Sequence, residues 1–255
     1  MGSKIKINIK KKFLIIAHRG ASSVAPENTL KAFQKAIDLN ADILEFDVHQ
    51  SKDGEIVIMH DGNTFRTTSY FGSISNLTLQ ELKKLDCGEG ERIPTLVELI
   101  KIARGKVNLN CEMKARGIEE KVIKILKEEK MIEDTIISSF KHDTLLKIQK
   151  LEPQIKLASL EPTRTGWIRS WMSRKKMLRV TIENFFYAIN PYYKLVNSNF
   201  VEKAHKNNIK IFPWTVNTDS SIRKLINFGV DGIITNEIDK VKLVMKEFDG
   251  KFPTN

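Results

Sequence analysis

Short runs of β-branched and aromatic residues alternate along this chain with stretches whose apolar positions recur every three or four residues. The first pattern predicts strands at Phe13–Ala17, Asp42–His49, Ile56–His60, Val107–Glu112, Thr135–Ser139, Ile155–Leu160, Tyr187–Asn190, Ile209–Val216 and Gly232–Thr235. The second predicts helices at Asn28–Leu39, Thr95–Ala103, Ile118–Glu129, His142–Leu151, Asn199–Lys206 and Ser220–Phe228. In the third of these, Ile118, Val122, Ile125 and Leu126 share one face. Strand and helix in alternation mean a parallel sheet with right-handed crossovers. So many units in 255 residues favour a closed (β/α)8 TIM barrel, read here as a single domain over residues 1–255. An open doubly wound sheet would be favoured by a glycine-rich fingerprint after the first strand, and there is none.

One place breaks the alternation. Asp42–His49 and Ile56–His60 are separated only by Gln50 to Glu55, and Asp53-Gly54 between two apolar runs is a hairpin signal. The two are expected as an antiparallel pair, with Asp47 and His60 opposite each other. The nine strand candidates then reduce to eight barrel strands and one irregular strand. After His60-Asp61 a long irregular stretch, residues 62–94, reads as a small insertion. It holds one short helix at Thr78–Leu85, started by the Thr78/Glu81 capping-box pattern.

Composition narrows this little. Hydrophobic residues make up 41% and charged residues 29%, an ordinary globular balance. No apolar run approaches the ~20 residues of a bilayer span, and Phe13–Ala17 is too short for a signal-peptide core. Cys87 and Cys111 have no metal-ligand spacing, so a reducing, cytoplasmic setting is the expectation. The net charge of +11 suits anionic partners. Nucleic acid is not expected among them, because no aromatic stacking platform or known motif accompanies the charge.

In parallel barrels the functional site lies at the C-terminal ends of the strands. There the chain places His18-Arg19-Gly20, Glu45 and Asp47, His60-Asp61, Glu112 and Lys114, Phe140, and Trp214. Glu45 and Asp47, two apart on one strand, point to the same face. Two carboxylates aimed together repel unless a cation separates them. With Glu112 they make an all-oxygen set that suits one hard divalent ion, Mg²⁺ or Ca²⁺. The alternative is that these acids pair with interior Arg or Lys. Two histidines, His18 and His60, beside an acid cluster suit general acid–base cleavage of an ester. Arg19 offers a fork for phosphate oxygens and Lys114 a point charge. Trp214 and Phe140 are candidates for the apolar wall of a small-alcohol pocket. Pro26-Glu27-Asn28-Thr29 reads as a helix start with Asn28 or Thr29 as the cap, and Glu27 as a partner supporting a histidine.

These residues, in order and spacing, resemble the glycerophosphodiester phosphodiesterases. The resemblance rests on His18-Arg19-Gly20, Pro26-Glu27-Asn28-Thr29, Glu45-Phe46-Asp47-Val48, His60-Asp61, Arg66-Thr67-Thr68 and Glu112-Met113-Lys114. It continues through Trp214-Thr215-Val216-Asn217 to Gly232-Ile233-Ile234-Thr235. It implies His18 and His60 as the acid–base pair, Glu45, Asp47 and Glu112 as metal ligands, Arg19 and Lys114 on the phosphate, and Trp214 against glycerol. It implies a small-molecule glycerophosphodiester substrate, split into sn-glycerol 3-phosphate and an alcohol through a cyclic phosphate. The rival readings are a lysophospholipase D acting at a membrane and a non-catalytic phospholipid-binding barrel.

Two departures from the family pattern stand out. Asn236 follows Thr235 where an aspartate is common, a neutralised supporting position at most. Glu161 to Phe186 is longer and more basic than expected. It interleaves Trp167, Ile168, Trp171 and Met172 with Arg164, Arg169, Arg174, Lys175, Lys176 and Arg179. It is expected either as an outer barrel helix or as a flap resting on an anionic membrane.

Overall fold

A computed structural model describes residues 13–163 and 171–248 of the protein. The nine strands are β1 (Leu14–His18), β2 (Ile43–Gln50), β3 (Ile56–Ile58), β4 (Asn108–Met113), β5 (Thr135–Ser139), β6 (Lys156–Glu161), β7 (Ala188–Pro191), β8 (Lys210–Ile211) and β9 (Gly232–Thr235). Eight of them run parallel in the order β8-β7-β6-β5-β4-β2-β1-β9, and β3 pairs antiparallel with β2. The two ends of that order meet through backbone bonds: Asp231 N–H to the Ile211 carbonyl (3.2 Å), Ile234 N–H to that of Pro213 (2.9 Å) and Val216 N–H to that of Ile234 (2.9 Å). The sheet is thus a nearly closed (β/α)8 barrel, as the alternation predicted.

Strand β8 is much shorter than the expected Ile209–Val216. Pro213 has no N–H to give, so the regular ladder stops there. The backbone nevertheless runs on beside its neighbours, with Trp214 N–H bonded to the Pro191 carbonyl at 3.0 Å.

Ten α-helices surround the barrel among the described residues: α1 (Leu30–Asp38), α2 (Phe65–Thr68), α3 (Leu79–Leu82), α4 (Leu96–Ala103), α5 (Glu119–Glu128), α6 (His142–Leu151), α7 (Trp171–Glu183), α8 (Ser198–Lys206), α9 (Asp219–Phe228) and α10 (Ile238–Lys246). The six long helices read from the sequence are all present. Four of them start at side-chain caps, Thr29 accepting from Ala32 N–H, Thr95 from Glu98 N–H, Asn197 from Phe200 N–H and Thr218 from Ser221 N–H. Helix α10 was not foreseen, because its buried stripe of Ile238, Val241 and Val244 is narrow and set among lysines.

The period of two along each strand decides what enters the barrel. On β1, Ile15 and Ala17 face the helices while Ile16 faces inward. On β2, Leu44, Phe46 and Val48 face outward and Ile43 inward. On β4, Leu109, Cys111 and Met113 face outward. The positions left for the interior mouth are therefore His18, Glu45, Asp47, Asn110 and Glu112. Cys111, buried in the helix layer, has no part in that mouth.

The insertion after His60 carries a small core of its own, Ile74, Leu82 and Ile93 under Val57 and Met59. Its capping box at Thr78 and Glu81 is present. Of the basic aromatic segment, Trp167, Ile168, Arg164 and Arg169 lie outside the described residues. Helix α7 packs on the barrel through Met177 and Leu178, and Thr181 Oγ1 lies 2.7 Å from Ser159 Oγ. That much is an outer barrel helix. Among the described residues no helix is long and apolar enough to cross a membrane.

Candidate active site

Register alone brings the acids and one histidine together. His18 lies beside Glu45 across β1 and β2, and Asp47 beside Glu112 across β2 and β4. Carboxylate oxygens of Glu45, Asp47 and Glu112 all fall within 4.8 Å of one another, and all three residues are buried. The β2–β3 turn spans Ser51 to Glu55, with Ser51 N–H bonded to the Glu55 carbonyl at 2.9 Å. That turn is longer than a two-residue hairpin, so Asp47 comes opposite Met59 rather than His60. His60 follows one residue on, at the same mouth.

Three buried carboxylates at this spacing cannot all be comfortably ionised. Burial, then the charges of Asp47 and Glu112, push the Glu45 carboxyl well above its ordinary range. Burial and Asp47 raise Glu112 to about 7. Asp47 goes the other way: burial alone would raise it, but Lys114, Arg19, His60 and the Asn28 amide hold it down to about 2. Lys114 Nζ sits 2.6 Å from Glu112 and 3.2 Å from Asp47, and Arg19 Nε 3.4 Å from Asp47. The expected pairing with interior cations is therefore present in part. Lys114, expected on a phosphate, is held by two of the acids. Three acids against two cations still leave a site suited to further positive charge, and its oxygen-only donors fit a hard divalent ion.

The first turn of the mouth is built on unusual backbone. Arg19 is left-handed at φ 56°, and so is Asn28. Arg19 N–H donates to Glu45 (2.9 Å), and Asn28 N–H donates to the Arg19 carbonyl (3.0 Å). Asn28 is not the helix cap, which is Thr29; its side-chain amide donates to Asp47 at 2.9 Å. Asparagine tolerates the left-handed region, and that was the available signal for a role beyond capping. Gly20 follows at φ +81°, and a Cβ there would meet the Ala32 carbonyl carbon at 2.7 Å. Gly20→Ala is expected to lower stability by about 1–3 kcal/mol, read by thermal or urea unfolding. Gly62→Ala, whose Cβ would find 3.8 Å of room, should change little.

The histidines have different partners. His18 Nδ1 is 2.7 Å from the Asn236 amide oxygen, so the substitution noted in the sequence touches a histidine directly. Burial, helped by Arg19, lowers His18 to about 4. His60 Nδ1 is 2.6 Å from Asp61, and the ring is also lowered by burial while Asp47 opposes. His49, unremarked in the sequence, sits with Nε2 3.2 Å from the His60 carbonyl.

Glu27, expected beside a histidine, is hydrogen-bonded to none among the described residues and acts on His18 only through its charge. Instead it binds Arg19 (3.0 Å) and Arg66 (2.6 Å), and Arg66 Nε donates to Asp61 at 2.5 Å. A continuous chain thus runs from His60 through Asp61, Arg66 and Glu27 to Arg19. Arg66, Asp61 and Asn236 belong to this mouth, although only motif neighbours marked them in the sequence.

Across the mouth, Trp214 Nε1 donates to the Asn190 carbonyl (2.8 Å), and its ring meets Phe140 edge-on at 5.5 Å. A cavity of ≈ 100 Å³ lies between this aromatic wall and the charged side. His18, Arg19, Glu45, His60, Glu112, Lys114, Phe140 and Trp214 all line it. Asp47, 1% exposed, lies just behind it, and Glu27 stands outside.

Residues 18–240 match the model of the "Glycerophosphoryl diester phosphodiesterase family". A glycerophosphodiester phosphodiesterase of Caldanaerobacter subterraneus subsp. tengcongensis is 40% identical over 92% of this chain and 99% of its own length. Among solved structures, a glycerophosphodiester phosphodiesterase from Thermotoga maritima superposes with TM-score 0.77 at 30% identity, covering 91% of this chain and 98% of its own. An Oleispira antarctica phosphodiesterase in complex with the product sn-glycerol-3-phosphate superposes with TM-score 0.81 at 28% identity, covering 91% and 96%.

Proposed function

The chain belongs to the glycerophosphoryl diester phosphodiesterase family, and from that premise we propose that it cleaves glycerophosphodiesters to sn-glycerol 3-phosphate and an alcohol, with a divalent cation at Glu45, Asp47 and Glu112 and two histidines moving the protons. The observation that carries this reading is the convergence of three buried carboxylates and two histidines on one cavity. The product named for the Oleispira neighbour supports the choice of sn-glycerol 3-phosphate.

Glu45, Asp47 and Glu112 would hold the cation, and Mg²⁺ and Ca²⁺ fit the oxygen donors equally. When bound, such an ion supplies Lewis-acid polarisation of phosphoryl oxygens and lowers the pKa of a hydroxyl held against it. Arg19, fixed by Glu27 and Asp47, presents its guanidinium to the phosphate side of the cavity. Lys114 adds positive charge where the transition state gains negative charge. Trp214 and Phe140 give glycerol an apolar wall.

The different partners of the two rings support different roles. Nδ1–H of His18 donates a hydrogen bond to the Asn236 amide oxygen, which leaves Nε2 free as an acceptor on a ring that stays neutral at pH 7. His18 therefore removes the proton from the attacking glycerol hydroxyl. Asp47 and Asp61 oppose the burial that lowers His60, which makes this ring the better placed of the two to carry a proton to the leaving alcohol. A cyclic phosphate results, and water opens it with the two roles exchanged.

The test is release of glycerol 3-phosphate from glycerophosphocholine and glycerophosphoethanolamine, before and after EDTA and after return of Mg²⁺ or Ca²⁺. Turnover lost on chelation and restored by either ion supports the reading. Turnover indifferent to EDTA removes the metal from it. A barrel without catalysis is disfavoured, since every position that the chemistry needs carries a competent side chain.

A further inference from the structure

Beside the catalytic mouth the insertion leaves three aromatic side chains in water. Phe65 is 56% exposed, Tyr70 49% and Phe71 84%, and the two phenylalanine rings touch edge-on at 6.1 Å. Rings of this size gain by leaving water, and these three are left in it. The patch is also anchored rather than loose. Arg66, next to Phe65 on α2, is clamped to Asp61 and Glu27, and Thr64 Oγ1 donates to the Tyr70 carbonyl at 2.5 Å. The same clamp ties the patch to the loop after β1, where Val24 is 56% exposed. On the other side of the barrel, Lys175 and Lys176 at the start of α7 and Lys194 after β7 are exposed on the same C-terminal face.

The geometry points to this rim as a contact surface for a phospholipid bilayer carrying anionic lipid. Phe65, Tyr70 and Phe71 enter the headgroup boundary on one side of the mouth, and the lysines meet anionic headgroups on the other. Three considerations select the bilayer over a second copy of the chain. The exposed aromatic area is roughly 400 Å² at about 200 Å² per ring, half of what one partner buries in a stable protein interface. Exposed aromatic rings and lysines on one rim are the composition of an interfacial surface. The chain's net charge of +11 complements anionic lipid. The surface extends the phosphodiesterase reading and rests on it only for its use: the mouth would be held where water-soluble and single-chain phospholipid fragments arise.

The experiment is sedimentation with vesicles of phosphatidylcholine alone and of phosphatidylcholine mixed with phosphatidylglycerol, comparing the wild type with Phe65→Ala/Phe71→Ala. Soluble glycerophosphocholine turnover is measured on the same samples. The wild type is expected to sediment with the mixed vesicles, and the double variant to partition roughly tenfold less or weaker, the equivalent of about 1.4 kcal/mol, with soluble turnover unchanged. Equal sedimentation of the two proteins overturns the assignment, as does no sedimentation of the wild type. So does a wild-type dimer, seen by sedimentation velocity, that the variant loses. Absence of soluble turnover in the wild type would instead count against the phosphodiesterase reading and leave the vesicle result standing.

Discussion

Replacing either His18 or His60 by alanine is expected to cut turnover of glycerophosphocholine by roughly 10²–10⁴-fold, with the fold intact by circular dichroism. The double variant should be little worse than the poorer single one, because two groups acting in one proton relay fail together. Their supports should separate them. Asp61→Asn removes the negative charge 2.6 Å from His60 Nδ1, so it should leave less of His60 protonated and lower kcat while leaving KM less affected. Asn236→Asp places an ionised carboxylate 2.7 Å from His18 Nδ1, where an amide now stands. A negative neighbour favours the imidazolium, so the pKa of His18 rises from about 4. The reaction needs His18 neutral, and the acid limb of the kcat/KM profile should therefore move to higher pH in this variant. A profile that stays in place would mean that His18 is not the proton acceptor.

The barrel was legible because its alternation of strand and helix is physical bookkeeping that local sequence carries by itself: every strand's outward residues must match a helix. Thus Leu44, Phe46 and Val48 announced the helix layer, and by parity Glu45 and Asp47 had to face the mouth. What the sequence could not carry were contacts between distant segments with no periodic signature. Asn28 looks like a helix cap because Asn caps helices, yet its left-handed backbone turns its amide onto Asp47, nineteen positions away. Glu27 looked like a histidine's support, but Arg66, reached only through the insertion, claims it together with Arg19. Lys114 was read as a phosphate ligand from its place at a strand end. Two residues from Glu112 on that strand, it lies between that acid and Asp47. Asn236 reads as a supporting position, but only closure of β9 against β1 shows that it is His18 it supports. The site's residue types were thus readable from motifs, while their pairings required the closed barrel.

Cation affinity is expected to fall by up to tenfold for each pH unit below about 7, for each proton displaced, measured by calorimetric titration of Mg²⁺ and Ca²⁺ at pH 6 and pH 8. The cause is Glu112, raised to about 7 by burial and Asp47, with Glu45 pushed up in the same way. A ligand that holds a proton must release it before it can hold a cation. The same displacement governs stability. Between the ordinary carboxyl value of 4.5 and about 7, the folded protein keeps a proton on Glu112 that the unfolded chain has lost. Bound protons then favour the native state, so the cation-free protein should lose stability as pH rises through that window. A divalent ion replaces the proton, so the rise in melting temperature on adding Mg²⁺ or Ca²⁺ should be larger at pH 8 than at pH 6. Glu112→Gln removes both the titrating group and a ligand. It should weaken cation binding by more than about 100-fold, the upper end of what loss of even an outer partner costs, and turnover should fall with it. Affinity unchanged between pH 6 and pH 8, or unaffected by Glu112→Gln, would place the cation elsewhere and leave the three buried acids to Lys114 and Arg19 alone.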